Sequence, residues 1–246
     1  MSEYNDKPLV SIITVCYNSE KYIRETIESV LNQTYDNIEY IIVDGDSTDS
    51  TLDIIKEYEP KFNGRLRWVS EPDEGIYDAM NKGINMATGY YAFFIGADDI
   101  FLKDNLEQLM HKIKHKKTKR LLVFPIILNN SKNYPKLDRK VNIVHHQGVL
   151  FNLNIIKEIG CYNKKYMIHS DFDLISKYIK KYGYIYINIP LCKFTKGGVS
   201  TNGENVILST KELIKIYKYY NGDLFSFEFI KLISRTLFYY LKEKVI

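Results

Sequence analysis

Two short carboxylates stand side by side at the end of an apolar run, in Gly96-Ala97-Asp98-Asp99-Ile100. Placed after a β-strand, such a pair can hold a hard cation, Mg or Mn, against a diphosphate. Asp pairs at strand ends also serve as turn formers or helix caps, so the reading depends on what else converges there. Tyr17-Asn18 and Asp44-Gly45-Asp46-Ser47 are polar clusters of the same kind, each following its own apolar run.

The elements that must position these groups are legible from periodicity. Val10 to Val15 reads as a strand, followed by Ser19 as a helix cap and by Ile23, Ile27, Val30 and Leu31 at helical spacing. The unit repeats with Ile38 to Val43 as strand and Leu52, Ile55 and Tyr58 on a helix face. It repeats again with Leu66 to Val69 and the stripe Ile76, Met80, Ile84 and Ala87. A fourth strand, Tyr91 to Ile95, runs into the acidic pair. Alternating strands and helices build a mostly parallel sheet with helices on both faces, and ligands bind such sheets at the carboxyl ends of the strands. All three polar clusters fall at those ends.

Beyond Asn105 a helix carries Leu106, Leu109, Met110 and Ile113, and a strand is expected from Leu121 to Leu128. The alternation then becomes irregular. Asn129 to Asp138 is turn-rich, Val141 to Val144 and Gly148 to Phe151 read as strands, and Ile175, Tyr178, Ile179 and Tyr182 mark another helix. His145 and His146 precede the second of these strands; a histidine there either contacts a ligand or sits buried and hydrogen-bonded.

Composition narrows the class. With 246 residues and 45% hydrophobic content the chain can bury a full core. The net charge of +4 is too small to imply nucleic-acid binding. One basic run (Lys112, Lys114, Lys116, Lys117, Lys119, Arg120) reads as a solvated helix end or as a patch for an anionic surface. Three widely spaced cysteines without a C-x-x-C pair fit a reducing, cytoplasmic compartment, and the polar N-terminus lacks the apolar core of a signal peptide. No apolar run reaches the roughly 18 residues of a membrane span.

In order and spacing, four segments resemble the successive motifs of glycosyltransferase family 2, in particular its bacterial polysaccharide-assembly members. They are Val10-Ser-Ile-Ile-Thr-Val-Cys-Tyr-Asn18, Val43-Asp-Gly-Asp-Ser-Thr-Asp-Ser-Thr51, Ser70-Glu-Pro-Asp-Glu-Gly-Ile-Tyr-Asp-Ala-Met-Asn-Lys-Gly83 and Gly96-Ala-Asp-Asp99. His146-Gln147, Ser170-Asp171-Phe172-Asp173-Leu174 and Gly197-Gly198-Val199-Ser200 resemble the acceptor-side elements. The resemblance implies an α/β GT-A fold, a Rossmann-like, mostly parallel sheet with flanking helices and added C-terminal helices. It divides the chain into a nucleotide-sugar half (1–100), an acceptor half of the same domain (101–205) and a C-terminal helical part (206–246).

It further implies a nucleotide-sugar donor, a UDP-sugar favoured, a divalent cation (Mn or Mg) and inverting transfer of a hexose or N-acetylhexosamine to a glycan or lipid-linked glycan in cell-surface polysaccharide synthesis. By residue-wise match, Asp171 is the base, with helix capping as its alternative role and Asp173 as its competitor. Asp99 is the metal ligand, and Asp98 supports the ribose or the metal. Tyr17, Asp44, Asp78 and Asn81 border the nucleotide. Gly45 and Gly96 stand where many members carry an acid, so base recognition passes to Asp44 or Asp46 and one ribose contact is removed. Lys196 lies beside a glycine pair and is placed to fold over a donor phosphate.

The C-terminal stretch sets Phe229, Ile230, Ile233, Leu237, Tyr240 and Leu241 against Glu228, Lys231, Arg235 and Lys242. Such a helix lies on an anionic membrane surface at the inner face of the cell, or packs on the domain. The competing functions are a non-catalytic nucleotide-sugar-binding or membrane-docking scaffold and nucleotidyl transfer. For the latter, Cys16-Tyr17-Asn18-Ser19 lacks the Gly and Arg of a phosphate loop.

Overall fold

The structure, a computed structural model, describes residues 7–128, 130–137, 142–194 and 206–220, with positions 230, 233 and 234. In chain order the strands are β1 (Val10–Cys16), β2 (Ile38–Asp44), β3 (Leu66–Ser70), β4 (Tyr91–Phe94), β5 (Ile100–Phe101), β6 (Leu121–Val123), β7 (Ile126–Leu128), β8 (Ser131–Asn133), β9 (Lys136–Leu137), β10 (Asn142–Ile143), β11 (Val149–Asn152), β12 (Tyr184–Tyr186) and β13 (Cys192–Phe194). The helices are α1 (Ile23–Leu31), α2 (Thr51–Tyr58), α3 (Ile76–Met86), α4 (Asn105–Lys112), α5 (Leu153–Glu158), α6 (Ser170–Tyr182) and α7 (Val206–Tyr220).

Seven strands form the central sheet in the order β12-β6-β11-β4-β1-β2-β3. The β4-β1-β2-β3 block is parallel, as is β12 on β6, while β11 runs antiparallel to both of its neighbours. Strands from both halves of the sequence thus share one sheet. The expected crossovers explain the parallel block: β1, β2 and β4 are buried on both faces, β3 at the edge buries only Leu66 fully, and the helices bury one stripe each against the sheet. In α1 that stripe is Ile23, Thr26, Ile27 and Val30, where each large aliphatic side chain contributes about 1.5–3 kcal/mol of burial. On the opposite face α3 comes close enough that a Cβ on Gly83 would stand 2.5 Å from Ile13 Cγ2, which explains a glycine in mid-helix despite its poor helix propensity.

Three local expectations differ from the structure. Leu121 to Leu128 is two strands in two sheets: β6 joins the central sheet, while β7 pairs with β13 and β8 in a four-stranded sheet, β5-β13-β7-β8. Pro125 lies between them, and a residue without an N–H cannot continue a ladder. The strand expected from Gly148 to Phe151 runs instead from Val149 to Asn152, and Gly148 closes a single 3-10 turn, His146–Gly148, its N–H donating to His145 O at 2.7 Å. Ser19 opens α1 through its backbone, its carbonyl accepting the N–H groups of Tyr22 and Ile23 at 3.0 Å, while its hydroxyl turns to the Tyr17 carbonyl. The basic run of 112–120 begins at the end of α4 and leaves its Lys and Arg side chains exposed. Among the described residues no helix is long and apolar enough to cross a membrane.

Candidate active site

The acidic loop follows β4. Asp99 folds back, its N–H donating to the Gly96 carbonyl at 3.2 Å and its Oδ2 accepting the Gly96 N–H at 3.1 Å. Thr26, buried on α1, holds its hydroxyl 2.8 Å from the carbonyls of both Ala97 and Asp99. The two adjacent acids therefore differ: Asp99 is fully buried, whereas Asp98 is partly exposed. Burial pushes the Asp98 carboxyl up from its ordinary range. A Cβ on Gly96 would lie 2.7 Å from Asp99 Oδ2 and 2.9 Å from Asp98 Oδ1. A side chain there would drive both carboxylates away, so the glycine is what lets them close on the loop backbone.

Loops after β1, β2 and β3 form the adjoining edge. Asn18, with φ of 48°, accepts the Thr48 N–H at 2.9 Å while its own N–H donates to Ser47, tying the first two loops together. Tyr17 stands out from this edge with 62% of its surface exposed. Asp44 is fully buried and accepts the Ser47 N–H and the Ser70 hydroxyl at 3.0 and 2.7 Å. Gly45 faces Asp73, a residue of the β3–α3 loop that the sequence reading did not single out.

On α3, Asp78 pairs with Lys164 at 2.9 Å, and that lysine holds its carboxyl below the usual range. Asn81 exchanges two hydrogen bonds with the backbone of Tyr162, at 2.9 and 3.0 Å. Both residues fasten α3 to the segment that leads into α6. Asp171 lies in the first turn of α6, where its Oδ1 accepts the Phe172 N–H at 2.8 Å. The hydroxyl of Tyr77, from α3, reaches the Ile168 carbonyl at 2.6 Å and Asp171 Oδ1 at 3.3 Å. Tyr77 stacks on Tyr162 with ring centroids 5.5 Å apart, and Tyr162 is hydrogen-bonded to the buried His146. Phe94, the last residue of β4, packs on both Tyr162 and His146. One aromatic cluster thereby links the strand before Asp98 with the helix carrying Asp171. His146 is its buried, hydrogen-bonded member, and burial lowers its pKa.

The competitor Asp173 is buried, with Tyr220 donating to Oδ1 at 3.0 Å and Lys177 at 2.9 Å from Oδ2. Glu212 of α7 accepts the N–H groups of Met167, Ile168 and His169 at 2.7, 3.1 and 3.0 Å. The sequence carries a signal for it, an acid inside the apolar stripe of Leu213, Ile216 and Tyr217. Lys196, Gly197-Gly198 and the stripe from Phe229 to Leu241, Ile230 and Ile233 excepted, lie outside the described residues. Among the described residues no three His, Cys, Asp or Glu side chains form a ready-made metal cluster.

Residues 11–179 match the family model of Glycosyl transferase family 2. The chain is 35% identical over 176 residues to a PGL/p-HBAD biosynthesis glycosyltransferase of Mycobacterium tuberculosis, covering 68% of each protein. It is 46% identical over 105 residues to a Bacillus subtilis protein provisionally named a teichuronic acid biosynthesis glycosyltransferase, TuaG, covering 42% of this chain and 41% of that one. Among solved structures, residues 1–349 of S. aureus TarS in complex with UDP-GlcNAc align with a TM-score of 0.68 at 19% identity, over 95% of this chain and 73% of that one. The mannosyltransferase PcManGT of Pyrobaculum calidifontis, with GDP-Man and Mn2+, aligns with a TM-score of 0.64 at 19% identity, over 95% and 70%. These likenesses give the GT-A fold, and with the ordered motifs and the extent of the family match they place the chain in glycosyl transferase family 2.

Proposed function

We propose that the protein transfers a hexose or N-acetylhexosamine from a UDP-sugar to a hydroxyl of a glycan or lipid-linked glycan, with inversion, in cell-surface polysaccharide synthesis. The observation that carries this reading is the acidic loop, where a partly exposed carboxylate whose ionisation is opposed by burial sits on a glycine-floored turn. Such a group is stabilised by a cation. The donor set fits Mg or Mn, which take one or two carboxylates and complete their shell with substrate phosphates and water. When bound, the cation neutralises charge growing on the leaving diphosphate. Asp98 is the better placed ligand and Asp99 the positioning residue behind it, which inverts the division expected from sequence.

Asp171 takes the proton of the acceptor hydroxyl, in a single displacement that leaves the new bond inverted. Tyr77 and the Phe172 N–H orient its carboxylate. Support for the donor class comes from the UDP-GlcNAc complex of TarS, for the cation from the Mn2+ complex of PcManGT, and for the glycan product from the name of the TuaG relative. The outward face of α7, with Ile207 and Tyr219 exposed among Lys211, Lys215 and Lys218, supports a peripheral position at the inner face of the cell membrane.

Purified protein, Mn2+ or Mg2+, a panel of UDP-, GDP- and dTDP-sugars and acceptor glycans should release nucleoside diphosphate and give a product of inverted anomeric configuration by NMR. Asp171→Asn should lower kcat by about 10²-fold or more, the usual contribution of a general base, and Asp98→Ala should abolish the response to metal. Full activity in either variant, or a retained configuration, refutes the assignment.

A further inference from the structure

Asp44 ends β2, the place from which an acid is expected to read the nucleobase, yet its carboxylate is consumed inside the protein. It has no exposed surface, and the Ser47 N–H, the hydroxyls of Ser47 and Ser70 and the Cys16 thiol all point at its two oxygens. Four donors meet the capacity of about four lone-pair sites on a carboxylate. No ligand reaches it without breaking this set.

The next position is open in a specific way. A Cβ on Gly45 would stand 2.7 Å from Asp73 Oδ2 and 3.5 Å from Tyr17 Cδ2. The bare Cα of Gly45 is therefore the floor on which a carboxylate from the β3–α3 loop meets an aromatic ring from the β1–α1 loop. That carboxylate is braced. Glu71 donates its N–H to the Asp44 carbonyl at 3.1 Å, Lys82 holds the Pro72 carbonyl at 2.7 Å, and the Gly75 N–H fixes Asp73 Oδ1 at 2.8 Å. With Oδ1 anchored, Oδ2 is held over Gly45 beside the exposed Tyr17 ring. A fixed acceptor next to an open aromatic face suits a planar ring with an N–H on its edge.

We infer that Asp73, rather than Asp44, is the specificity-determining residue that reads the donor nucleobase, accepting the ring N–H that adjoins a carbonyl in uracil, thymine or guanine while the base lies against Tyr17. The inference rests on the nucleotide-sugar reading above. Cytosine and adenine present a bare ring nitrogen on the matching edge, and two acceptors facing each other reject the wrong base.

Calorimetric binding of UDP, dTDP, GDP and CDP to the full chain with Mn2+ tests this. At least one of the three N–H-bearing bases should bind about ten- to a hundredfold more tightly than CDP, the range of a hydrogen bond to a charged group; which one does so names the donor base. Asp73→Ala should bring that ratio close to unity by weakening the preferred nucleotide while leaving CDP unchanged. Gly45→Ala keeps the acid but intrudes on Oδ2, so it should narrow the ratio as well and serves if the first variant folds poorly. An unchanged ratio in both variants, equal losses for the preferred nucleotide and CDP, or a collapse in Asp46→Asn instead, overturns the role of Asp73 while leaving the donor reading intact. A wild-type protein that binds none of the four overturns the donor reading itself.

Discussion

Glu212→Ala removes one side chain of α7 and tests how far the segment before α6 depends on it. The Glu212 carboxylate is 6% exposed and accepts three consecutive N–H groups, those of Met167, Ile168 and His169. Those residues immediately precede α6 and Asp171. Hydrogen bonds to a charged group contribute about 1.5–3 kcal/mol each, but three that share one carboxylate do not add. Met167 is 68% exposed, so water replaces part of what it loses. The expected loss is about 2–4 kcal/mol of stability, read as a lower urea midpoint by circular dichroism. Because the segment also carries the Ile168 carbonyl that engages Tyr77, kcat should fall more than the affinity for UDP. A stability change below about 0.5 kcal/mol, the range of an ordinary surface substitution, would refute the docking of α7 on the domain.

Acid should weaken the fold through its buried histidines. Burial, opposed by the nearby Asp171, lowers the pKa of both His146 and His169 below the ordinary 6.5. The neutral rings therefore contribute stability above that value and lose it as pH falls and the unfolded chain takes up protons. The urea midpoint should drop between about pH 7.5 and about pH 5.5; His146→Gln should start lower and fall less steeply, and an equal slope would exclude its protonation as a cause. For the outer face of α7, replacing Lys211, Lys215 and Lys218 together by Glu should reduce co-sedimentation with phosphatidylserine vesicles by at least about tenfold and leave UDP affinity unchanged. Undiminished co-sedimentation would refute the membrane contact.

The first half of the fold was legible because its elements are long enough to show a period. Ile23, Ile27 and Val30 sit one turn apart on a buried stripe, and seven consecutive residues of β2 are buried. In the second half, β6 and β7 hold three residues each, too few for alternation to emerge, and the break at Pro125 is hidden inside one continuous apolar run. The site divides along the same line. Motif order brought Asp98, Asp99 and Asp171 into view, but adjacent identical letters cannot show that a turn closing on Gly96 buries one acid fully and leaves its neighbour partly exposed. Nor can local pattern reveal that Asp73 crosses to Gly45 or that Glu212 reaches back to Ile168, since these contacts join segments far apart in the chain.

The two glycines that depart from the acidic pattern of many family members look like losses when read as letters. In three dimensions each is the space that another carboxylate occupies, Asp73 over Gly45 and Asp98 with Asp99 over Gly96. Charge missing from the motif is thus returned by the fold, from a different loop in one case and from the next turn of the same loop in the other. The consequence for the proposed function is directional: with Asp73 as the base-reading acid, a change in the length or bracing of the β3–α3 loop should alter donor choice without touching Asp98 and Asp99, the acids proposed to manage the diphosphate.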